Sequence, residues 1–224
     1  MRTAAILPVK HFALAKQRLR ESVSEPLRED LARAMVCDVV DALHDTPSIE
    51  QTIVVTNEQS VALLAEQQGA IVLSDTANDG QSAAVMLGVE RALALGIERV
   101  LCVPGDCPAL DPGELAQLLG AVENQPEVVI VPDRHGTGTN GLLLAPPDVI
   151  SPSFGLGSYE RHCALAAAAS WRTERPASLL LDIDTGEDLA ALRARLSGER
   201  VRAPRTRAVL DSAQAPWPVF SPAV

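Results

Sequence analysis

Short runs of consecutive apolar residues recur along this chain, each followed by a stretch of helical spacing, and that alternation leaves few folds open. Residues 4–9, 52–55, 70–73, 100–103 and 128–131 are almost wholly apolar on successive positions, the pattern of strands covered on both faces. Between the first two, residues 26–43 set Leu27, Leu31, Ala34, Met35, Val39, Ala42 and Leu43 on one helical face. Further helices are predicted at about 58–67, 82–95 and 112–122. Strands separated by helices in this way specify an α/β fold: a mainly parallel sheet with helices on both faces. Such sheets bind ligands at the carboxyl ends of their strands, so functional residues belong just after each strand.

Two helix starts can be read directly. Asp111 caps a helix that has Pro112 in its first turn and Glu114 at the capping-box position. Thr185 with Asp188 three residues on opens another, running to about Leu196. After Asp133 the rhythm changes. Residues 141–144 read as a strand, yet no helix separates them from 128–131, which predicts an antiparallel insertion whose loop is free to hold a ligand. A short apolar strand is expected at 179–181. The ordered domain is taken as residues 1–197. Residues 198–224, rich in proline and without a sustained period, are expected to be an irregular tail, either docked through Trp217 and Phe220 or unfolded.

Composition then excludes several classes. Aromatic residues are 3%, so the core must be built from Ala, Val, Leu and Ile. No apolar run approaches the ~18 residues of a membrane span, and the stretch in MRTAAILPVKHF is too short for a signal peptide. Nineteen basic against 29 acidic residues give a net charge of −10, a poor match to nucleic acid. An anionic small ligand would need local cations or a metal. The four cysteines, Cys37, Cys102, Cys107 and Cys163, form no CxxC pair or zinc spacing. They read as small hydrophobes in a reducing, cytoplasmic setting.

The candidate chemistry lies at strand ends. The chain has only two lysines, Lys10 and Lys16, and both follow the first strand in LPVKHFALAKQRL, with Arg18 and Arg20 close behind. Either this is a solvated basic loop or it is a polyphosphate site; the glycines of a P-loop are missing. VPGDCPAL sets Asp106 in a Gly/Pro turn after the fourth strand, where a carboxylate can ligate a hard divalent cation such as magnesium or simply shape the turn. LDIDTGEDL sets Asp182 and Asp184 two apart, on one side of an extended chain. Asp182 is the second carboxylate that a metal-bridged phosphoryl site requires; Asp184 is read as orienting the turn and Asp188 as the capping acid. DRHGTGTN offers Thr137, Thr139 and backbone N–H groups to an anion. FGLGS follows, with Ser158 expected to cap a helix through residue 168. No HExxH, Gly-x-Ser-x-Gly or cysteine–histidine arrangement accompanies His11, His44, His135 and His162. A covalent mechanism is therefore unsupported, and a phosphate-monoester acceptor, whose second pKa is about 6, needs no base at neutral pH.

ILPVKHFALAKQRL, VPGDCPAL, PDRHGTGTN, FGLGS and LDIDTGEDL, in this order over about residues 4–196, resemble the phosphoenolpyruvate and 2-phospho-L-lactate guanylyltransferases of coenzyme F420 biosynthesis. GTGTN with FGxGS is the specific part of the likeness. The resemblance implies a nucleotide-diphospho-sugar transferase-like fold and transfer of GMP from GTP to a three-carbon phosphocarboxylate, with release of pyrophosphate. It implies magnesium on Asp106 and Asp182, the acceptor on Thr139, Gly155 and Ser158, and nucleotide phosphates on Lys10, Lys16 and Arg18. The chain departs from the family at Gly80-Gln81-Ser82-Ala83-Ala84, where Ser82 replaces an Asn, so no residue is assigned to guanine. Phosphoenolpyruvate is the expected acceptor, on the Ala/Arg-rich, lysine-poor composition of bacterial proteins; 2-phospho-L-lactate and 3-phosphoglycerate stay open. So do a molybdenum-cofactor or sugar-phosphate transferase of the same fold, and a non-catalytic nucleotide-binding protein. Against the former, the LPVK loop lacks the GxGxRxG of those enzymes. A homo-oligomer is left open.

Overall fold

The computed structural model describes residues 1–12, 16–75, 79–121, 126–198 and 201–213. Among them seven strands form one sheet in the order β3-β2-β1-β4-β6-β5-β7. β1 (Thr3–Val9) lies between β2 (Gln51–Thr56) and β4 (Arg99–Cys102), parallel to both, and β3 (Ile71–Leu73) runs parallel to β2. β5 (Glu127–Pro132) and β6 (Thr139–Ala145) form a hairpin in which β6 inserts beside β4, antiparallel to both its neighbours. The sheet is thus mainly parallel with one reversed strand, as the missing helix after residue 131 predicts.

Seven α-helices accompany it among the described residues: α1 (Glu25–His44), α2 (Gln59–Gln67), α3 (Gln81–Ala94), α4 (Pro112–Gly120), α5 (Ser158–Leu165), α6 (Gly186–Leu196) and α7 (Pro204–Ser212). Alternate strand residues enter different cores. Ala4 and Ile6 of β1 pack with Val85 and Val89 of α3, whereas Ala5 and Leu7 pack with Val36 and Val39 of α1. Burying one such side chain is worth about 2 kcal/mol, and with so few aromatics the sheet draws that stabilisation from both faces. A third, smaller cluster gathers Leu19, Leu31, Met35, Ile183, Leu192 and Leu210. It fastens α1, α6 and α7 to the segment that carries Asp182 and Asp184.

Three expectations are corrected. Residues 179–181 are a turn and extended chain, not a strand. The last strand is instead β7 (Ser170–Thr173), parallel to β5 at the sheet edge. Its sequence SWRT shows no apolar run because the strand is half exposed. The helix expected through residue 168 ends at Leu165 and tightens into a 3-10 turn over Ala166–Ala168. Within the stretch from 198 onward, α7 is a regular helix whose first N–H groups, of Arg205 and Thr206, donate to the Asp38 carboxylate of α1 at 3.1 and 2.8 Å. That carboxylate supplies the cap that Ala203, at the N-cap position, lacks. Trp217 and Phe220 lie outside the described residues.

Candidate functional site

One cleft of about 510 Å³ opens at the carboxyl ends of β1 and β4. It is bordered by Lys10, Lys16 and Arg18 on one side, by Asp106 and Asp182 at its base, and by Thr139, Gly155 and Ser158 on the other. The structure thus brings together all eight residues singled out from the sequence.

The base is built from two turns locked to each other. Asp106 follows β4 in the turn Val103-Pro104-Gly105, which passes so close over α1 that a Cβ on Gly105 would lie 2.8 Å from Val36 Cγ2. The carbonyl of Asp106 accepts the N–H of Ile183 at 3.1 Å. Ile183 is wholly buried, so its neighbours Asp182 and Asp184 turn the other way, toward the cleft. Asn140, second in β6, donates to the carbonyl of Leu179 at 2.8 Å and to Asp182 Oδ1 at 3.1 Å, orienting that carboxylate. Below Asp182, α6 begins with the expected capping box between Thr185 and Asp188.

The outcome is a cluster of three carboxylates. Asp106, Asp182 and Asp184 each offer an oxygen within 4.8 Å of the others. Asp184, read from the sequence as a turn residue, therefore belongs to the group. Burial, and then the charge of Asp106, hold the Asp182 carboxyl above its ordinary range, against the hydrogen bond from Asn140. Lys16 closes the cluster: its ammonium bonds Asp106, and Asp184 Oδ1 at 2.9 Å. Burial works against that charge, but the two carboxylates outweigh it and keep the lysine pKa above its usual value. Lys16 also has φ 55°, a left-handed backbone that costs a non-glycine residue about 1 kcal/mol or more. Arg18, mostly exposed, has Nη1 3.9 Å from Asp184 Oδ2. Lys10 is exposed at the lip. Asp106 Oδ1 is buried with no hydrogen-bond partner. An orphaned carboxylate oxygen on a side chain grouped with two further carboxylates makes a donor set suited to a hard cation.

The opposite wall departs from expectation. The N–H groups of Thr137 and Gly138 do not face a ligand; both donate to the Asp133 carboxylate at 2.9 Å, and the Thr137 hydroxyl joins them. Burial opposes the Asp133 charge, but these bonds win and hold its carboxyl below the ordinary value. A side chain was thus overlooked as the organiser of its own turn. Arg134 anchors the same loop to Asp188 at 2.7 Å. Ser158 does not cap α5: Gly157 holds the N-cap position at φ 70°, and Ser158 is the first helical residue, buried. Gly155, at φ 106°, and Gly157 permit the tight FGLGS turn, which Arg161 braces through the carbonyls of Ser153, Phe154 and Leu156. The Ser82 hydroxyl accepts the N–H of Phe154 at 2.9 Å and ties α3 to this turn. His162 also went unassigned; it lies four residues from Ser158, on the same helical face.

None of the four cysteines is in a disulfide. Burial, and then Asp106, push the Cys107 thiol well up, the behaviour of a buried structural thiol. Cys102 is raised to about 12 by burial alone.

Solved structures that share this arrangement of strands and helices include nucleotidyltransferases. A protein of Desulfovibrio desulfuricans G20, assigned to the nucleotide-diphospho-sugar transferases, superposes with a TM-score of 0.74 over 96% of each chain at 18% identity. A nucleotidyl transferase of Methanothermobacter covers 88% of this chain and 98% of its own, with a TM-score of 0.63 and 18% identity. The fold is therefore that of the nucleotide-diphospho-sugar transferases, and its three carboxylates stand close enough together that they could hold one metal ion. Sequence narrows the class further. The profile of the guanylyl transferase CofC-like family matches residues 3–203, and the chain belongs to that family. It is 47% identical over 214 residues to the phosphoenolpyruvate guanylyltransferase of Conexibacter woesei, covering 94% of this chain and 96% of that one. To the enzyme of the same name from Streptomyces coelicolor it is 34% identical over 94% and 99% of the two chains.

Proposed function

We propose that this chain transfers GMP from GTP to the phosphate of phosphoenolpyruvate, releasing pyrophosphate, as a step of coenzyme F420 biosynthesis. The observation that carries the reading is the cleft itself: a carboxylate cluster set between a lysine-bearing loop and a turn of hydroxyls and glycines. The names of the full-length relatives supply the acceptor.

Asp106, Asp182 and Asp184 would hold magnesium, with the unpartnered Oδ1 of Asp106 as one ligand atom. When bound, that ion supplies charge neutralisation for the phosphates. Lys10, Lys16 and Arg18 bind the polyphosphate and stabilise the departing pyrophosphate. Thr139, Gly155 and Ser158 hold the acceptor on the far wall, so that its phosphate oxygen faces the α-phosphorus in line. That oxygen is already anionic, and the chain supplies no base. The oxygen forms a bond to the α-phosphorus as the bond to the β-phosphate oxygen breaks. No helix among the described residues is long and apolar enough to cross a membrane. The free thiols and the small-molecule substrates support a cytoplasmic enzyme.

The test is pyrophosphate release from GTP and magnesium with phosphoenolpyruvate, 2-phospho-L-lactate and 3-phosphoglycerate supplied separately. Release with phosphoenolpyruvate is expected; release with another acid moves the acceptor, and silence with all three refutes the reaction. Asp106→Asn is expected to lower turnover at least about a thousandfold with an unchanged circular-dichroism spectrum. Retained turnover with ordinary magnesium dependence refutes its role.

A further inference from the structure

His162 of α5 is fully buried, and both of its ring nitrogens are engaged. Nε2 lies 2.9 Å from the backbone nitrogen of Ser153, and Nδ1 lies 2.9 Å from Thr139 Oγ1. The Phe154 ring meets the imidazole edge-on, with centroids 5.1 Å apart. A backbone N–H can only donate, so Nε2 must present its lone pair to Ser153. A neutral ring with Nε2 unprotonated carries its hydrogen on Nδ1, and that N–H donates to the Thr139 hydroxyl oxygen. Protonating the ring would set two N–H groups against each other at Ser153. The contacts therefore select one tautomer and one charge state.

A threonine hydroxyl on its own is ambivalent, able to give or to accept. With one of its two lone pairs already accepting from His162, Thr139 keeps its hydrogen to give. Among the described residues His162 is the only partner of that hydroxyl, and Thr139 borders the cleft.

We infer that His162 is a positioning residue that orients the Thr139 hydroxyl so that its hydrogen is given to the acceptor's anionic group, while its other nitrogen holds the FGLGS turn in register with β6. This rests on the reading of the Thr139 wall as the acceptor side. A carboxylate or phosphate oxygen placed there takes that hydrogen. His162 itself touches no substrate.

Two amide variants separate the arms of the ring. The amide of His162→Asn reaches the level of Nδ1 and keeps a donor for Thr139 while giving up Ser153. The amide of His162→Gln reaches the level of Nε2 and keeps an acceptor for Ser153 while giving up Thr139. His162→Gln is expected to raise the KM for phosphoenolpyruvate about tenfold, the loss of one hydrogen bond to a charged group, with kcat and the KM for GTP little changed. His162→Asn is expected to recover most of that affinity. Thr139→Val is expected to match His162→Gln, and the double variant to add nothing further. Equal KM values for the Asn and Gln variants, or parallel losses in kcat and both KM values, overturn the inference.

The unsubstituted protein gives an independent readout that does not depend on any variant folding. Long-range ¹H–¹⁵N spectra of ring-labelled histidine are expected to show the Nδ1–H tautomer for His162, with its signals shifting as phosphoenolpyruvate is added. An Nε2–H tautomer overturns the inference even where the enzyme turns over. Absence of acceptor-dependent pyrophosphate release in the wild type overturns instead the reaction on which it rests.

Discussion

Burying His162 as a neutral ring makes the stability of this protein depend on pH in a calculable way. Burial, and then the nearby positive charge of Arg161, lower its pKa to about 4 from an ordinary value of 6.5. Between those two values the unfolded chain binds a proton that the folded chain does not, so stability rises with pH across the window and is lost as pH falls through it. Integrating the proton difference from pH 7.5 down to 5.2 gives a loss of about 1.7 kcal/mol from this residue. Asp38 and Asp182, whose carboxyls lie above their ordinary range, also contribute to the pH dependence of stability. Their contribution cancels when wild type is compared with His162→Asn, which cannot titrate. Urea unfolding at the two pH values, followed by circular dichroism, gives each stability by linear extrapolation. The wild type is expected to lose about 1.7 kcal/mol more than the variant over this interval. Parallel losses would mean that the ring is charged or hydrated in the folded protein, and the reasoning from burial would be wrong.

Three further outcomes follow from the carboxylate cluster and its supports. Lys16→Met removes the ammonium that competes for Asp106 and Asp184, so magnesium is expected to bind about tenfold more tightly, a change of about 1.4 kcal/mol; an unchanged magnesium titration by calorimetry refutes the competition. Thr185→Ala removes the cap of α6 and is expected to lower unfolding free energy by about 1 kcal/mol, read from urea curves. Gly105→Ala sets a methyl against Val36 and is expected to destabilise by about 1–3 kcal/mol. A Gly105→Ala/Val36→Ala pair should then be no less stable than Val36→Ala alone, and additive losses refute the clash.

The parts of the fold legible in the sequence are those where burial writes a local pattern. β1, β2, β4 and β5 are covered on both faces and so appear as unbroken apolar runs. β6 was legible because nothing helical precedes it. β7 left no such mark: it sits at the sheet edge, and its Arg172 pairs with Glu127 on the neighbouring strand. α7 was missed for a different reason, since PRTRAVLDS is strongly polar and the acid that caps it lies 168 positions away, on α1. The same contrast divides the site. Asp106 and Asp182 announce themselves as acids at the ends of apolar segments, and Lys16 by the scarcity of lysine. Asp133 and His162 act through bonds that only the folded chain creates, and His162 in particular reaches 9 and 23 positions back to Ser153 and Thr139.

The reversed strand has a consequence for how such proteins diversify. Because β6 runs against its neighbours, its beginning, at Thr139 and Asn140, stands at the same edge of the sheet as the ends of β1 and β4. The lysine loop and Asp106 are encoded upstream of α4, whereas Thr139 and the FGLGS turn are encoded together downstream of it. Recombination between the two gene segments would therefore exchange one wall of the cleft while inheriting the other intact. The contacts such an exchange must keep are those that cross between the halves, the bond from the Ile183 N–H to the Asp106 carbonyl and the pairing of Lys16 with Asp184.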